Sequence, residues 1–164
     1  MRRGSALAAV ASLLLLLAAA AAPAQQAVYI VRHAEKASDA NEPDVPLSDE
    51  GKARAARLAA VLRDAGIIAI YSTDTVRARS TAEPLARAGN RMVRIYSEVA
   101  VLADLLRREP ESATLVVGHS NTVPQLIAAL GVREPVEIGD RDFDNLFVVV
   151  MRSSGEPVLL RLRY

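Results

Sequence analysis

Val28-Tyr29-Ile30-Val31-Arg32-His33-Ala34-Glu35 is an apolar run that stops abruptly at an arginine, a histidine and a carboxylate. Its β-branched and aromatic side chains predict a stiff strand, so the residues that follow are held at a fixed height on a sheet edge. In open α/β sheets, ligands bind just past the carboxyl ends of the strands. The chain has only two histidines, and the second follows another buried-type run, Thr114-Leu115-Val116-Val117-Gly118-His119-Ser120. Two imidazoles, far apart in sequence and each at the end of an apolar strand, predict one site assembled at the top of a sheet.

Between and beyond these strands the pattern alternates. A polar loop with Pro43 and Pro46 precedes Leu47-Ser48-Asp49-Glu50-Gly51, where Ser48 is a good N-cap and two carboxylates suit the positive end of a helix. Ala55, Leu58, Ala59, Leu62 and Ala65 recur at helical spacing, and Gly66 sits where a helix would end. Ile67 to Tyr71 predicts a second strand, and about Thr75 to Ala88 a helix kinked or broken at Pro84. Met92 to Tyr96 predicts a third strand and Val99 to Arg108 a helix. After the His119 strand, a helix carries Pro124 in its first turn and stops at Gly131. Leu146 to Met151 and Pro157 to Leu162, joined by Ser153-Ser154-Gly155-Glu156, read as a hairpin. The expected fold is a three-layer α/β/α sandwich with a mostly parallel sheet and a C-terminal antiparallel hairpin.

With 164 residues the chain suits one domain behind a leader. Arg2 and Arg3 form a basic start, Ala6 to Ala22 an apolar stretch broken only by Ser12, and Ala22-Pro23-Ala24 a small-residue cleavage site. We expect residues 1–24 to be a signal peptide and residues 25–164 the functional domain, periplasmic or secreted. An uncleaved anchor is the alternative, but so short and alanine-rich a run sits at the lower limit for spanning a bilayer. After cleavage no stable membrane contact is expected. Without Arg2 and Arg3, 18 basic side chains face 19 acidic ones, which is not the balance of a nucleic-acid binder. The absence of cysteine excludes disulfides and thiolate metal sites.

Three motifs, in order, give the chain a family resemblance: Arg32-His33-Ala34-Glu35, then Val76-Arg77-Ala78-Arg79-Ser80-Thr81-Ala82, then Gly118-His119-Ser120-Asn121-Thr122. Together they resemble the histidine phosphatase superfamily, the phosphoglycerate-mutase-like proteins, and the short length is similar to its small single-domain branch of phosphohistidine phosphatases. The resemblance runs from about Ala27 to about Phe147, and the Leu47-Ser48-x-x-Gly51 opening is also similar to that family's first helix. It implies His33 as a nucleophile that becomes phosphorylated, His119 as a group that stabilises the transferring phosphoryl, and Arg77 as the second phosphate-binding arginine. It also implies a general acid after the third strand, for which Glu98 in Tyr96-Ser97-Glu98 is the nearest candidate.

The chemistry of these residue types agrees. A guanidinium fork matches phosphoryl oxygens, and Arg32 and Arg77 could neutralise their charge without a metal. A neutral imidazole can attack phosphorus and split the reaction into two easier steps. Ser120, Asn121 and Thr122 open a helix, where they could cap it or offer N–H groups to an anion, and Ser120 is the phosphate-binding candidate among them. Glu35 is expected to orient or charge-balance Arg32. No cofactor is expected, and a cation would be repelled by the arginines around the histidines. The expected activity is hydrolysis of a phosphomonoester or phosphoramidate, the substrate being a small phosphorylated molecule or a phosphoprotein. Without a general acid, good leaving groups such as phosphohistidine or aryl phosphates are preferred.

Gly118-His119-Ser120-Asn121-Thr122 also invites comparison with a serine hydrolase elbow, but Thr122 stands where the final glycine belongs and no histidine follows Ser120 in the chain. A mutase would need a sugar-acid substrate and insertions for which this chain is short. The alternative that keeps the same pocket is a non-catalytic, exported phosphate-binding module.

Overall fold

A computed structural model describes residues 26–39, 42–108 and 113–164. The expected leader lies outside them. Strands and helices alternate as β1 (Ala27–Arg32), α1 (Asp49–Leu62), β2 (Ile67–Ser72), α2 (Val76–Ala88), β3 (Val93–Ile95), α3 (Val99–Arg108), β4 (Ala113–Gly118), α4 (Thr122–Ala129), β5 (Asn145–Val150) and β6 (Val158–Arg163). They build one six-stranded sheet in the order β3-β2-β4-β1-β5-β6. β3, β2, β4 and β1 run parallel, and β5 and β6 add an antiparallel pair at the β1 side. The architecture is the expected α/β/α sandwich.

Side-chain alternation explains the layers, because successive residues of a strand face opposite sides of the sheet. Val28 and Ile30 of β1, Val116 of β4 and Phe147 and Val149 of β5 pack with Leu102 and Leu106 of α3 and Leu126 and Ile127 of α4. Val31, Leu115, Val117, Leu146 and Val148 face the other way, against Leu58 and Leu62 of α1 and Ala82 and Leu85 of α2. A strand buried on both faces has no polar side to show, which is why β1 and β4 read as unbroken apolar runs.

Two helices begin on side-chain caps. Ser48 Oγ accepts from the Gly51 N–H at 3.1 Å, and Thr75 Oγ1 from the Ala78 N–H at 3.3 Å. Gly51 has a further reason to be glycine: a Cβ there would lie 2.2 Å from the carbonyl oxygen of Glu35. That contact seats the first turn of α1 directly on the segment after β1.

Three expectations need correction. One helix runs unbroken from Val76 to Ala88 with Pro84 inside it, because the turn beyond it carries Leu85 and Ala86 into the core and outweighs one lost hydrogen bond. α1 ends at Leu62, and Gly66, at φ +67°, belongs to the turn before β2. β3 keeps only Val93–Ile95, an edge strand with a single neighbour.

Candidate active site

The register of the sheet brings the sequence motifs together. Arg32 at the end of β1 is level with Gly118 at the end of β4, and Val117 with Ser72 at the end of β2. The ladder continues one step further, with the His33 N–H donating to the Gly118 carbonyl at 2.9 Å and the Thr73 N–H to the Val117 carbonyl at 3.2 Å. His33, Thr73 and His119 therefore leave three adjacent parallel strands side by side. The rings of His33 and His119 lie 5.1 Å apart, edge to face at 68°.

Hydrogen bonds fix the tautomers. His33 Nδ1 lies 2.8 Å from the Ala34 carbonyl. A carbonyl only accepts, so Nδ1 carries the proton and Nε2 keeps its lone pair. Arg77 Nη2 lies 3.2 Å from His119 Nε2 and can only donate, which leaves His119 Nδ1–H to donate to Thr73 Oγ1 at 3.3 Å. Burial, assisted by the positive charges of Arg32 and Arg77, pushes both imidazoles down, His33 to about 3 and His119 to about 4. The Ala34 hydrogen bond opposes this at His33 without reversing it. Both rings are neutral at pH 7.

Two buried guanidinium groups flank the imidazoles. Arg77, in the first turn of α2, donates through Nη1 to the Glu42 carbonyl at 2.8 Å. Arg32 Nη1 donates to the carbonyls of Gly139 at 2.8 Å and Asp140 at 3.0 Å. Nε of each arginine is buried without a hydrogen-bond partner among the described residues. Such donors are suited to the oxygens of an anion. Among the described residues, no group of three or more His, Cys, Asp and Glu side chains is placed to hold a metal ion.

The structure thus brings His33, His119, Arg32 and Arg77 together. Ser120 follows them half-buried at the mouth of α4. Glu98 stands before α3, where its carbonyl accepts from the Leu102 N–H at 3.1 Å. It lines a separate groove with Tyr71, Ile95, Val101 and Leu105, and no hydrogen bond joins it to either imidazole among the described residues. Glu35 has a direct partner that was not expected: its carboxylate receives Arg54 Nε at 2.7 and 2.9 Å, while its charge also favours the cation at Arg32. Burial alone would raise its pKa, but the hydrogen bonds and charge of Arg54 hold it below the usual range.

Other contributors hold these residues in place. Thr81 Oγ1 accepts from the Ala34 N–H at 3.0 Å and donates to the Arg77 carbonyl at 2.8 Å, tying the strand end to α2. Thr122 Oγ1 accepts from the His119 N–H at 2.8 Å, so this hydroxyl turns back to the histidine, while Asn121 makes no side-chain cap. A Cβ at Gly118 would lie 2.6 Å from that hydroxyl and 3.0 Å from the Tyr96 hydroxyl. Phe143, from the long segment before β5, lies under Arg32.

The family model of the histidine phosphatase superfamily (branch 1) matches residues 28–100. No protein of curated function matches the chain. Among solved structures, the protein histidine phosphatase SixA complexed with tungstate is similar at a TM-score of 0.67 and 21% identity, over 84% of this chain and 96% of that one. A phosphoserine phosphatase from Entamoeba histolytica, in complex with 3-phosphoglyceric acid, gives 0.65 and 18%, over 85% and 97%. A mycobacterial glucosyl-3-phosphoglycerate phosphatase gives 0.66 and 15%, over 85% and 98%. At these identities the likeness is one of fold.

Proposed function

We propose that the chain is a metal-independent phosphatase of the histidine phosphatase superfamily, whose family model matches residues 28–100, and that it transfers a phosphoryl group to Nε2 of His33 and then to water. The observation that carries this reading is the hydrogen bond from His33 Nδ1 to the Ala34 carbonyl. It holds the ring in the one tautomer whose free lone pair faces away from the backbone, in a neutral imidazole flanked by two guanidinium groups.

In the first step the Nε2 lone pair forms a P–N bond as the P–O or P–N bond to the leaving group breaks. Arg32 and Arg77 neutralise the equatorial oxygens, where the charge of the transition state is spread. A bound dianion also opposes the two positive charges that hold His119 low, so the ring gains a proton and Nε2 donates to a phosphoryl oxygen. In the second step water attacks phosphorus, the P–N bond breaks, and inorganic phosphate leaves with the His33 lone pair restored. Ser120 is assigned to the phosphate site by its position after His119. Glu98, across a separate groove, is not assigned a proton transfer, so leaving groups that depart without one are favoured. Phosphoramidates and aryl phosphates are therefore the expected substrate class, on a small molecule or a protein. The basic, apolar and small-residue pattern of residues 1–24 supports action outside the cytoplasm.

The test is hydrolysis of an aryl phosphate in EDTA. His33→Ala is expected to lower turnover at least ~1,000-fold, the order of loss seen when a nucleophile is removed, and acid-quenched unaltered protein to carry phosphate on His33. Phosphate binding without any turnover would instead identify the non-catalytic binding module.

A further inference from the structure

Arg32 is held from outside the motifs. Residues Gly139 to Asp142 form a tight turn, with the Gly139 N–H donating to Asp142 Oδ2 at 3.0 Å and the Asp142 N–H to the Gly139 carbonyl at 3.0 Å. The carbonyls of Gly139 and Asp140, presented by this turn, receive Nη1 of Arg32. The next residue, Phe143, lays its ring 4.2 Å from the guanidinium carbon and stands 6.0 Å from the His33 ring. The carboxylates of Asp140 and Asp142 favour the positive charge that burial opposes.

An arginine at a strand end has several rotatable bonds, and its value to a phosphoryl group depends on the plane and direction of its fork. Two carbonyls pin one corner of the guanidinium, and an aromatic face sets its tilt. Nε, which is buried, has no hydrogen-bond partner among the described residues.

We propose that Phe143 is a positioning residue, which together with the Gly139–Asp142 turn clamps Arg32 in the orientation that receives the phosphoryl group. This rests on the phosphatase reading and adds a role for the segment before β5. Phe143 acts through Arg32 and does not react itself.

The experiment measures inorganic phosphate affinity by calorimetry and aryl phosphate turnover for the unaltered protein, Phe143→Leu, Phe143→Tyr, Arg32→Ala and the Arg32→Ala/Phe143→Leu pair. Loss of the ring face is expected to weaken phosphate binding and kcat/KM by about three- to tenfold in Phe143→Leu, the range of a cation–π contact. Phe143→Tyr should restore both, with the urea midpoint of each variant close to the unaltered value. In the Arg32→Ala background, Phe143→Leu should have no further effect. An active protein in which Phe143→Leu binds phosphate normally, or lowers affinity equally with and without Arg32, overturns the clamp alone. Unaltered protein that neither binds phosphate nor turns over overturns the phosphatase reading and the clamp together.

Discussion

At the scale of single residues, the site depends on two imidazoles kept neutral by burial and by neighbouring positive charge. A nucleophile in solvent would lose activity as pH falls through about 6.5, the ordinary histidine value. With His33 near 3 and His119 near 4, kcat/KM on an aryl phosphate should hold from pH 7 to about 5, once the substrate's own ionisation is allowed for. It should fall only as pH approaches 3, where His33 takes a proton and loses the lone pair that attacks phosphorus. A pH–rate profile with an enzyme break near 6.5 would contradict the burial seen here. Legibility at this scale was uneven. His33 and His119 could be found because each ends an apolar strand, and Arg77 through the resemblance that its motif carries. Thr73 and Phe143 had no such signal, and Thr81 and Thr122, though inside the motifs, carried no sign of their partners, since a threonine that accepts from another N–H looks like any other threonine.

At the scale of elements, the segment after β1 has to be locked before His33 can be. The lock is the start of α1: the Ser48 N–H donates to the Glu35 carbonyl at 3.0 Å, Gly51 packs on that same carbonyl, and Arg54 grips the Glu35 carboxylate. Gly51→Ala would force a Cβ against backbone oxygen at 2.2 Å, where nothing flexible can yield. We expect a loss of about 2–3 kcal/mol of stability, the order of an overpacked core position, read as a lower urea midpoint with unchanged slope. An unchanged midpoint would show that the helix start can move without consequence. Glu35 was only half legible at this level: its charge supports Arg32, but side chains three residues apart along an extended chain face opposite sides, and Arg54 arrives from α1 to make the direct pairing.

For the whole molecule, the same lowered imidazoles tie stability to pH. Between the folded values, near 3 and 4, and about 6.5 in the unfolded chain, the unfolded state binds protons that the folded state refuses. Stability therefore decreases as pH falls through this window. Glu35, held below its ordinary value by Arg54, adds stability that is lost at lower pH, as its carboxylate takes a proton. Urea midpoints at pH 7, 5.5 and 4.5 should decrease in that order, and His33→Asn with His119→Asn should flatten the trend. An equally steep trend in the double variant would place the proton linkage elsewhere.

The sequence by itself determined the order of strands and helices, the two-sided burial of β1 and β4 and the membership of His33 and His119 in one site. These follow from local periodicity and from strand ends, which are properties of neighbouring residues. Only the tertiary structure decided the strand order that places β1, β4 and β2 side by side, the tautomers of the two imidazoles, the pairing of Glu35 with Arg54 and the hold on Arg32 from residues 139–143. Each of those joins groups separated by 19 to 111 positions or depends on which atom meets which lone pair. Such contacts are set by packing between elements, which hydrophobic pattern constrains only to a face.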